Sequence, residues 1–228
     1  MDYERVRADV PSARDMARER QAPLLVRAVK RATDVCLSAG SLLALSPLLL
    51  VIAVMIKLDS PGPVFFTQER LGKSMRTFRM YKFRSMKADA ADSLHREAVK
   101  RTAESSRREI GNFKSLEDPR VTRFGRFLRT WNLDELPNLI NILKGEMSIV
   151  GPRPALDYEL PYYKDWYYQR FDVRPGLTGL WQVKRADAED FDEMIRMDVD
   201  YVEHMSPWLD ARLIAMTIPS IIRERGAF

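Results

Sequence analysis

Asp134 and Glu135 stand side by side immediately before Leu136-Pro137. A proline there is expected in the first turn of a helix or at a kink, so both carboxylates fall near the positive end of a helix dipole. In that position they stay ionised and can share a hard cation. Alone, two adjacent acids are an ordinary solvated pair, but here their company is cationic. Arg120, Arg123, Arg126 and Arg129 recur every third residue upstream, and Arg153 is held between prolines in Gly151-Pro152-Arg153-Pro154. Such a set can surround a diphosphate.

A second basic set, Arg70, Lys73, Arg76, Arg79, Lys82, Arg84 and Lys87, follows a long apolar run. It is suited to anionic lipid, at about 1 kcal/mol per charge near a membrane surface, and equally to gripping a lipid's phosphate. The net charge of +5 and pI near 9.3 favour polyanionic partners without choosing among nucleic acid, lipid headgroups and phosphorylated substrates. Cys36 is the single cysteine, which excludes an intrachain disulfide and fits a reducing, cytoplasmic setting.

These groups must be positioned by the elements around them. The 22 residues Val35 to Ile56 carry no charge; as one helix they would measure about 33 Å, the thickness of a bilayer's hydrocarbon core. Mixed charges precede the run and no small-residue cleavage pattern follows, so a removed signal peptide is a poor fit. A plain spanning helix is one solution. Pro47, preceded by Ser46, favours a bend, since its N–H is missing and its ring clashes with the preceding turn, and Ser46 can bond a freed carbonyl. Arg27, Lys30 and Arg31 on one flank and Lys57 on the other ask both ends to stay on the same side. A helix–break–helix that enters and leaves one membrane face satisfies both features and is the expected form.

Residues 1–22 read as an exposed arm without chemistry. Val64-Phe65-Phe66 and Thr77 to Phe83, around Leu71-Gly72-Lys73, predict a β-hairpin. Residues 88–118 are polar, a solvated helix or mobile loop. Val121 to Leu143 has helical apolar spacing, with Phe124, Phe127, Leu128, Leu133, Leu136, Leu139, Ile140 and Leu143 on one side and the chemistry on the other. Seven aromatics between Tyr158 and Phe171 predict a helix that either packs in the core or lies in the headgroup region.

Five stretches carry a resemblance: Lys82-Phe83-Arg84-Ser85-Met86; Asp118 to Arg129; Leu133-Asp134-Glu135-Leu136-Pro137; Gly145 to Pro154; and Arg174-Pro175-Gly176-Leu177-Thr178-Gly179-Leu180-Trp181-Gln182-Val183. In order and without a large gap from about Lys30 onward, the chain resembles the monotopic phosphoglycosyl transferases, also called the bacterial sugar transferase family, in their small form. The resemblance implies a re-entrant membrane helix broken at Ser46-Pro47. It implies that Asp134 attacks the sugar-bearing phosphorus of a UDP-sugar, a UDP-hexose or UDP-N-acetylhexosamine, releasing UMP. Polyprenyl (undecaprenyl) phosphate then takes the phosphosugar, initiating a capsule, exopolysaccharide, O-antigen or glycoprotein glycan. Glu135, with Asp134, would bind Mg²⁺; Lys82, Arg84, Arg129 and Arg153 would contact phosphate, and Arg174 would face the nucleotide. Trp131-Asn132, Asn138 and Lys184-Arg185 depart from the usual pattern without removing a proposed catalytic group.

The expected fold is α+β and mainly helical: an arm (1–22), a broken membrane helix (23–58) and a catalytic domain (59–228) with a small β-hairpin and interfacial amphipathic helices. The expected place is the bacterial inner membrane with the catalytic domain facing the cytoplasm, among membrane lipids and without nucleic acid; a homodimer is left open. Two rivals remain. A basic membrane-tethered scaffold would not need Asp134, and a glycosyltransferase moving sugar alone would release a nucleoside diphosphate.

Overall fold

The computed structural model describes residues 23–87, 118–184 and 190–225. The expectations for residues 1–22 and for 88–117 lie outside the described residues. Helix α1, Leu24–Ala44, and helix α2, Ser46–Asp59, meet at Leu45 with a bend of 63°. The break falls where the sequence asks for it. Pro47 occupies the first turn of α2, where a missing N–H costs no hydrogen bond, and Ser46 Oγ donates to Leu43 O at 2.8 Å. Among the described residues no single helix is long and apolar enough to cross a membrane, but the bent pair passes that test together.

The pair packs against the rest of the chain along its inner side. On α1, Asp34 and Ser38, one turn apart, are buried, and Asp34 Oδ1 accepts from Ile149 N at 2.9 Å and Ser148 Oγ at 3.0 Å. Lys30 Nζ reaches Val150 O (2.9 Å) and Asp210 Oδ2 (2.8 Å), and the Tyr201 hydroxyl lies 2.7 Å from Asp210 Oδ1. On α2, Ile52 and Ile56 bury against Phe83 and Leu128. The outer side carries exposed Leu37, Leu43, Leu50, Val51, Val54 and Leu58.

Strands β1, Phe65–Leu71, and β2, Thr77–Phe83, form the antiparallel hairpin with Phe65 opposite Phe83 and Leu71 opposite Thr77. β1 runs further than its apolar start predicts and takes Arg70 into the sheet. The segment expected as one helix from Val121 is divided into helix α3, Arg123–Thr130, a 3₁₀ turn, Leu133–Glu135, and helix α4, Asn138–Lys144. Asn132, at φ 53°, takes the left-handed conformation that asparagine tolerates, and this ends α3. Gly125 lets α3 lie on β2's extension, because a Cβ there would sit 2.1 Å from Ser85 O.

Strands β3, Ser148–Val150, and β4, Gly176–Thr178, pair in parallel. Their crossing is closed to side chains, since a Cβ at Gly176 would meet Gly151 N at 2.1 Å. Between them the aromatic segment forms two 3₁₀ helices, Asp157–Tyr162 and Asp165–Asp172, rather than one α-helix. Tyr167, Tyr168 and Phe171 are buried, so this segment belongs to the core. Helices α5, Leu180–Val183, α6, Phe191–His204, and α7, Pro207–Arg225, follow, and the described residues are mostly helical with two small sheets among them.

Helix α4 hangs on the outer edge of β2 through Asn141, which has no exposed surface. Its Oδ1 accepts from Tyr81 N (3.0 Å), and its Nδ2 donates to Arg79 O (2.7 Å) and Glu146 Oε2 (2.7 Å), so the side-chain amide stands in for a third strand. Asn141→Leu should leave a strand N–H and C=O orphaned, at about 1–3 kcal/mol each. The expected result is a melting temperature lower by about 5–10 °C for the purified chain; an unchanged melting temperature would show that the amide does not hold α4.

Candidate active site

Asp134 and Glu135 sit in the 3₁₀ turn between α3 and α4. Leu133 and Leu136 on either side pack against the cluster of Ile52, Ile56, Phe83 and Leu128, which fixes the turn from beneath. Asp134 is 4% exposed, and its Oδ1 is buried without a hydrogen-bond partner. Glu135 Oε1 is 3.0 Å from Lys82 Nζ on β2. Asn141 sets this pair, because it locks the strand that bears Lys82 to the helix that follows Glu135.

Arg129, in the last turn of α3, is half-buried. Desolvation lowers its pKa, against the pull of the Asp134, Asp118 and Glu135 carboxylates. Asp118 is held below the usual carboxylate range mainly by hydrogen bonds from Arg120, whose Nη2 is 2.6 Å from Asp118 Oδ2.

Arg153 approaches from the Gly151–Pro154 loop. Arg170 Nη2 donates to Arg153 O at 2.8 Å, Arg70 Nη1 donates to Pro154 O at 2.9 Å, and Arg153 N donates to Asp198. Arg170 and Asp198 form an ion pair at 2.6 Å with each side chain 2% exposed. Tyr163 OH accepts from Arg170 Nη1 at 2.5 Å and lies 3.1 Å from Glu159 Oε2. Two buried guanidiniums thus grip consecutive carbonyls of this loop. Burial and the nearby Arg153 charge lower the Arg70 pKa to about 10, against the pull of Glu159, Tyr158 and Glu135. Arg70 therefore shares its surroundings with both Arg153 and Glu135.

The structure thus brings Lys82 to Glu135 directly, leaves Arg129 and Arg70 within electrostatic reach of the acidic turn, and holds the backbone of the Arg153 loop through Arg70 and Arg170. Arg84 is turned elsewhere. Its guanidinium donates to Ser60 O (2.6 Å), Pro61 O (2.8 Å) and Ile56 O (3.3 Å), closing the carboxyl end of α2. Arg174 lies beyond the far end of α4, with its Nε 2.7 Å from Gly145 O, a helix length of about 10 Å from the acidic turn. Sequence reasoning did not single out Arg170 or Asp198. The available signal was a cation set inside an aromatic run, Tyr167-Tyr168-Gln169-Arg170-Phe171, where a buried partner is required.

A turn offering two acids to a ring of guanidiniums and one ammonium suits transfer of a phosphorylated group. Comparison with known proteins agrees. The family model described as "Bacterial sugar transferase" matches residues 25–224. The chain is 41% identical to "Undecaprenyl-phosphate glucose phosphotransferase" of Komagataeibacter xylinus, over 87% of this chain and 37% of that protein. It is 39% identical to "UDP-N-acetylgalactosamine-undecaprenyl-phosphate N-acetylgalactosaminephosphotransferase" of Aeromonas hydrophila, over 87% of this chain and 45% of that protein. With "Exopolysaccharide production protein ExoY" of Sinorhizobium fredii the identity is 37%, over 87% of this chain and 88% of the relative. The chain thus spans less than half the length of the first two and most of the third. The match takes in α1, α2, the acidic turn and the loop that carries Arg153, and on that ground the chain belongs to the bacterial sugar transferase family.

Proposed function

We propose that this chain transfers a sugar-1-phosphate from a UDP-sugar to a polyprenyl phosphate at a membrane surface, in two steps on Asp134. The observation that carries the reading is the buried Asp134 carboxylate, one oxygen of which has no hydrogen-bond partner while the charges of Asp134 and Arg129 act on each other. An oxygen left unbonded in a cationic surround is available to form a bond to phosphorus. In the first step an Asp134 oxygen bonds the sugar-bearing phosphorus and the bond to the UMP oxygen breaks. In the second, an oxygen of the polyprenyl phosphate attacks the same phosphorus and the Asp134 ester breaks, leaving a polyprenyl diphosphate sugar. Arg129, Arg153 and Lys82 neutralise the phosphate oxygens in both steps. The relatives' names, which specify undecaprenyl phosphate and glucose or N-acetylgalactosamine, support these substrate classes.

Mg²⁺ is bound in proteins by one or two carboxylates completed by substrate phosphates and water, so the donor set of Asp134 and Glu135, with a buried unbonded oxygen on the former, fits it. Bound there, it would draw charge from the phosphoryl oxygens.

Residues 23–58 form the membrane-entering unit of this reading, and 59–228 the catalytic one. Its support is the 63° bend and the exposed apolar outer side of α1 and α2. Exposed Phe65, Phe66, Phe127 and Trp131 extend that apolar surface toward the acidic turn, which suits an acceptor delivered from the bilayer. With basic residues at both ends of the bent pair, the ends lie on the cytoplasmic face of a bacterial inner membrane.

Incubating the purified chain with UDP-sugars and Mg²⁺ should give a phosphosugar adduct by intact mass and release UMP, and Asp134→Asn should lack the adduct and lose at least about a thousandfold in transfer. Turnover retained in that variant, or release of UDP, would overturn the mechanism. A second prediction concerns the buried pair that grips Arg153. Replacing both charges together, Arg170→Met with Asp198→Leu, should lower the melting temperature less than either single replacement, because no lone buried charge is left behind. Transfer should fall about 10–100-fold as Arg153 loses its fixed position; undiminished transfer would show that the grip is without consequence.

A further inference from the structure

Helix α4 carries two buried asparagines put to opposite uses. Asn141 uses its whole amide on Tyr81 N, Arg79 O and Glu146 Oε2. Asn138, three residues earlier, is 2% exposed, and its Oδ1 is buried with no hydrogen-bond partner. A buried carbonyl oxygen in that state is destabilising, and native folds leave few of them. Asp34, Arg84, Glu159, Arg170 and Gln182 also keep one buried atom unpartnered, but each is anchored through another atom of the same side chain. Among the described residues no hydrogen bond anchors the side chain of Asn138, and the same holds for Asp134, whose Oδ1 is the orphan at the acidic turn.

The ordinary reasons for an asparagine at this place do not apply. An asparagine at the start of a helix normally caps it, but the cap position of α4 is Pro137 and no side chain bonds there. Asparagine also ranks low in helix propensity. An apolar residue of the same size would fill the space without an orphaned carbonyl. What the position offers is an oxygen shielded from bulk water one turn beyond the acidic pair. From Leu133 to Ile140 the backbone stays right-handed, with bonds from three residues back arriving at Leu136 (3.3 Å), Leu139 (3.1 Å) and Ile140 (3.0 Å). Residues three apart on such a path share a face, about 6 Å apart along the axis. Asn138 therefore follows Glu135 by one turn, the spacing at which helices present two side chains to one metal ion. Glu135 is itself fixed from the strand side by Lys82 at 3.0 Å.

A donor set of Asp134 and Glu135 alone contains a conflict. An Asp134 oxygen that forms the ester with phosphorus cannot also serve as a charged ligand for the cation. A neutral amide oxygen one turn from Glu135 removes that conflict, because hard cations accept carbonyl oxygens and an amide does not compete for phosphorus.

We propose that Asn138 Oδ1 is an oxygen ligand of the divalent cation, paired with Glu135, which leaves Asp134 Oδ1 to bond phosphorus. The assignment rests on the transferase reading given above and adds to it the groups that keep the cation while Asp134 is esterified.

Mn²⁺, a paramagnetic stand-in for Mg²⁺, tests the assignment without turnover. Titrated into the purified full chain and followed by electron paramagnetic resonance, it should bind the wild type, and Asp134→Asn should keep most of that binding. Glu135→Gln and Asn138→Leu should each bind about tenfold more weakly. Asn138→Asp keeps the oxygen and adds a charge, and should bind at least as tightly as the wild type. Without metal, Asn138→Leu should melt no lower than the wild type, since an orphaned carbonyl has been removed. Wild-type affinity in Asn138→Leu, or no Mn²⁺ binding by the wild type, would overturn the assignment. Weakened binding in Asn138→Asp would do the same, and so would a loss in Asp134→Asn as large as in Glu135→Gln, which would return the cation to the acidic pair. A lower melting temperature of metal-free Asn138→Leu would give the amide a role in the fold and overturn it too. UMP release from UDP-sugar by the wild type decides the transferase reading separately: if release persists while Asn138→Leu keeps its Mn²⁺ affinity, only the Asn138 assignment falls, and if release is absent, the transferase reading falls.

Discussion

One buried amide fixes the relation between the strand that carries Lys82 and the turn that carries Asp134 and Glu135. A two-stranded hairpin is marginal on its own, and its outer edge leaves N–H and C=O groups that must be paired. Asn141 pairs them at Tyr81 and Arg79, and so welds α4 to β2 without a third strand. The Lys82 to Glu135 contact then follows from geometry set elsewhere and does not have to hold the site together itself. In such a partly buried ion pair the attraction does little more than offset the desolvation of its two charges. Its value lies in where it leaves the ammonium and the carboxylate.

The same economy governs α1 and α2. A bent helix pair that is apolar on its outer side gains nothing in orientation from apolar packing alone, which is non-directional. Lys30, Arg31 and Asp34 supply direction, each reaching a different part of the chain: Asp210 with Val150 O, the carboxyl end of α4, and the amide of Ile149. Since these partners flank β3 and α4, the angle at which the pair leaves the catalytic unit is set by the elements that build the acidic turn. The angle of the bent pair and the geometry of the acidic turn are thereby coupled through α4.

The break at Ser46-Pro47 and the hairpin were legible because each depends on a local rule: a missing N–H, and strand-prone runs on either side of a glycine. The end of α3 was not. Leu133, Leu136, Leu139, Ile140 and Leu143 keep helical spacing across Asn132, so periodicity continues through a residue whose backbone turns left-handed. The aromatic run misled for a related reason, because 3₁₀ turns repeat every three residues and a short apolar pattern scarcely separates that from 3.6. Strands β3 and β4 are three residues each and rest on glycine contacts between distant segments, which leave no local pattern. At the site, Lys82, Arg129, Arg153, Asp134 and Glu135 were named from their motifs, while Arg84 and Arg174 turned to helix carboxyl ends. A motif records that an arginine is present. Whether its fork meets a ligand or a row of backbone carbonyls depends on which helix ends beside it.

The Arg170 to Asp198 pair shows why a buried charge is kept where it does not stabilise. Burial pushes the Asp198 carboxyl up to about 6, against the pull of Arg170 and Arg153. An acid whose folded pKa lies above its unfolded value binds its proton more tightly in the folded state, so its contribution to stability is greatest below the unfolded pKa and is lost as pH rises through about 6. For the Asp198 carboxyl alone ionisation is thus a cost at neutral pH, whereas Arg170 is raised above its ordinary value, against desolvation, by Tyr163, Asp198 and Glu159, which favours its charge; a buried pair of this kind adds little net stability. Apolar residues, however, cannot accept from the Arg153 N–H and donate to the Arg153 carbonyl at once. The pair does both, and the prolines at 152 and 154 remove the backbone freedom that would otherwise remain. A fixed backbone at Arg153 is what the pair secures.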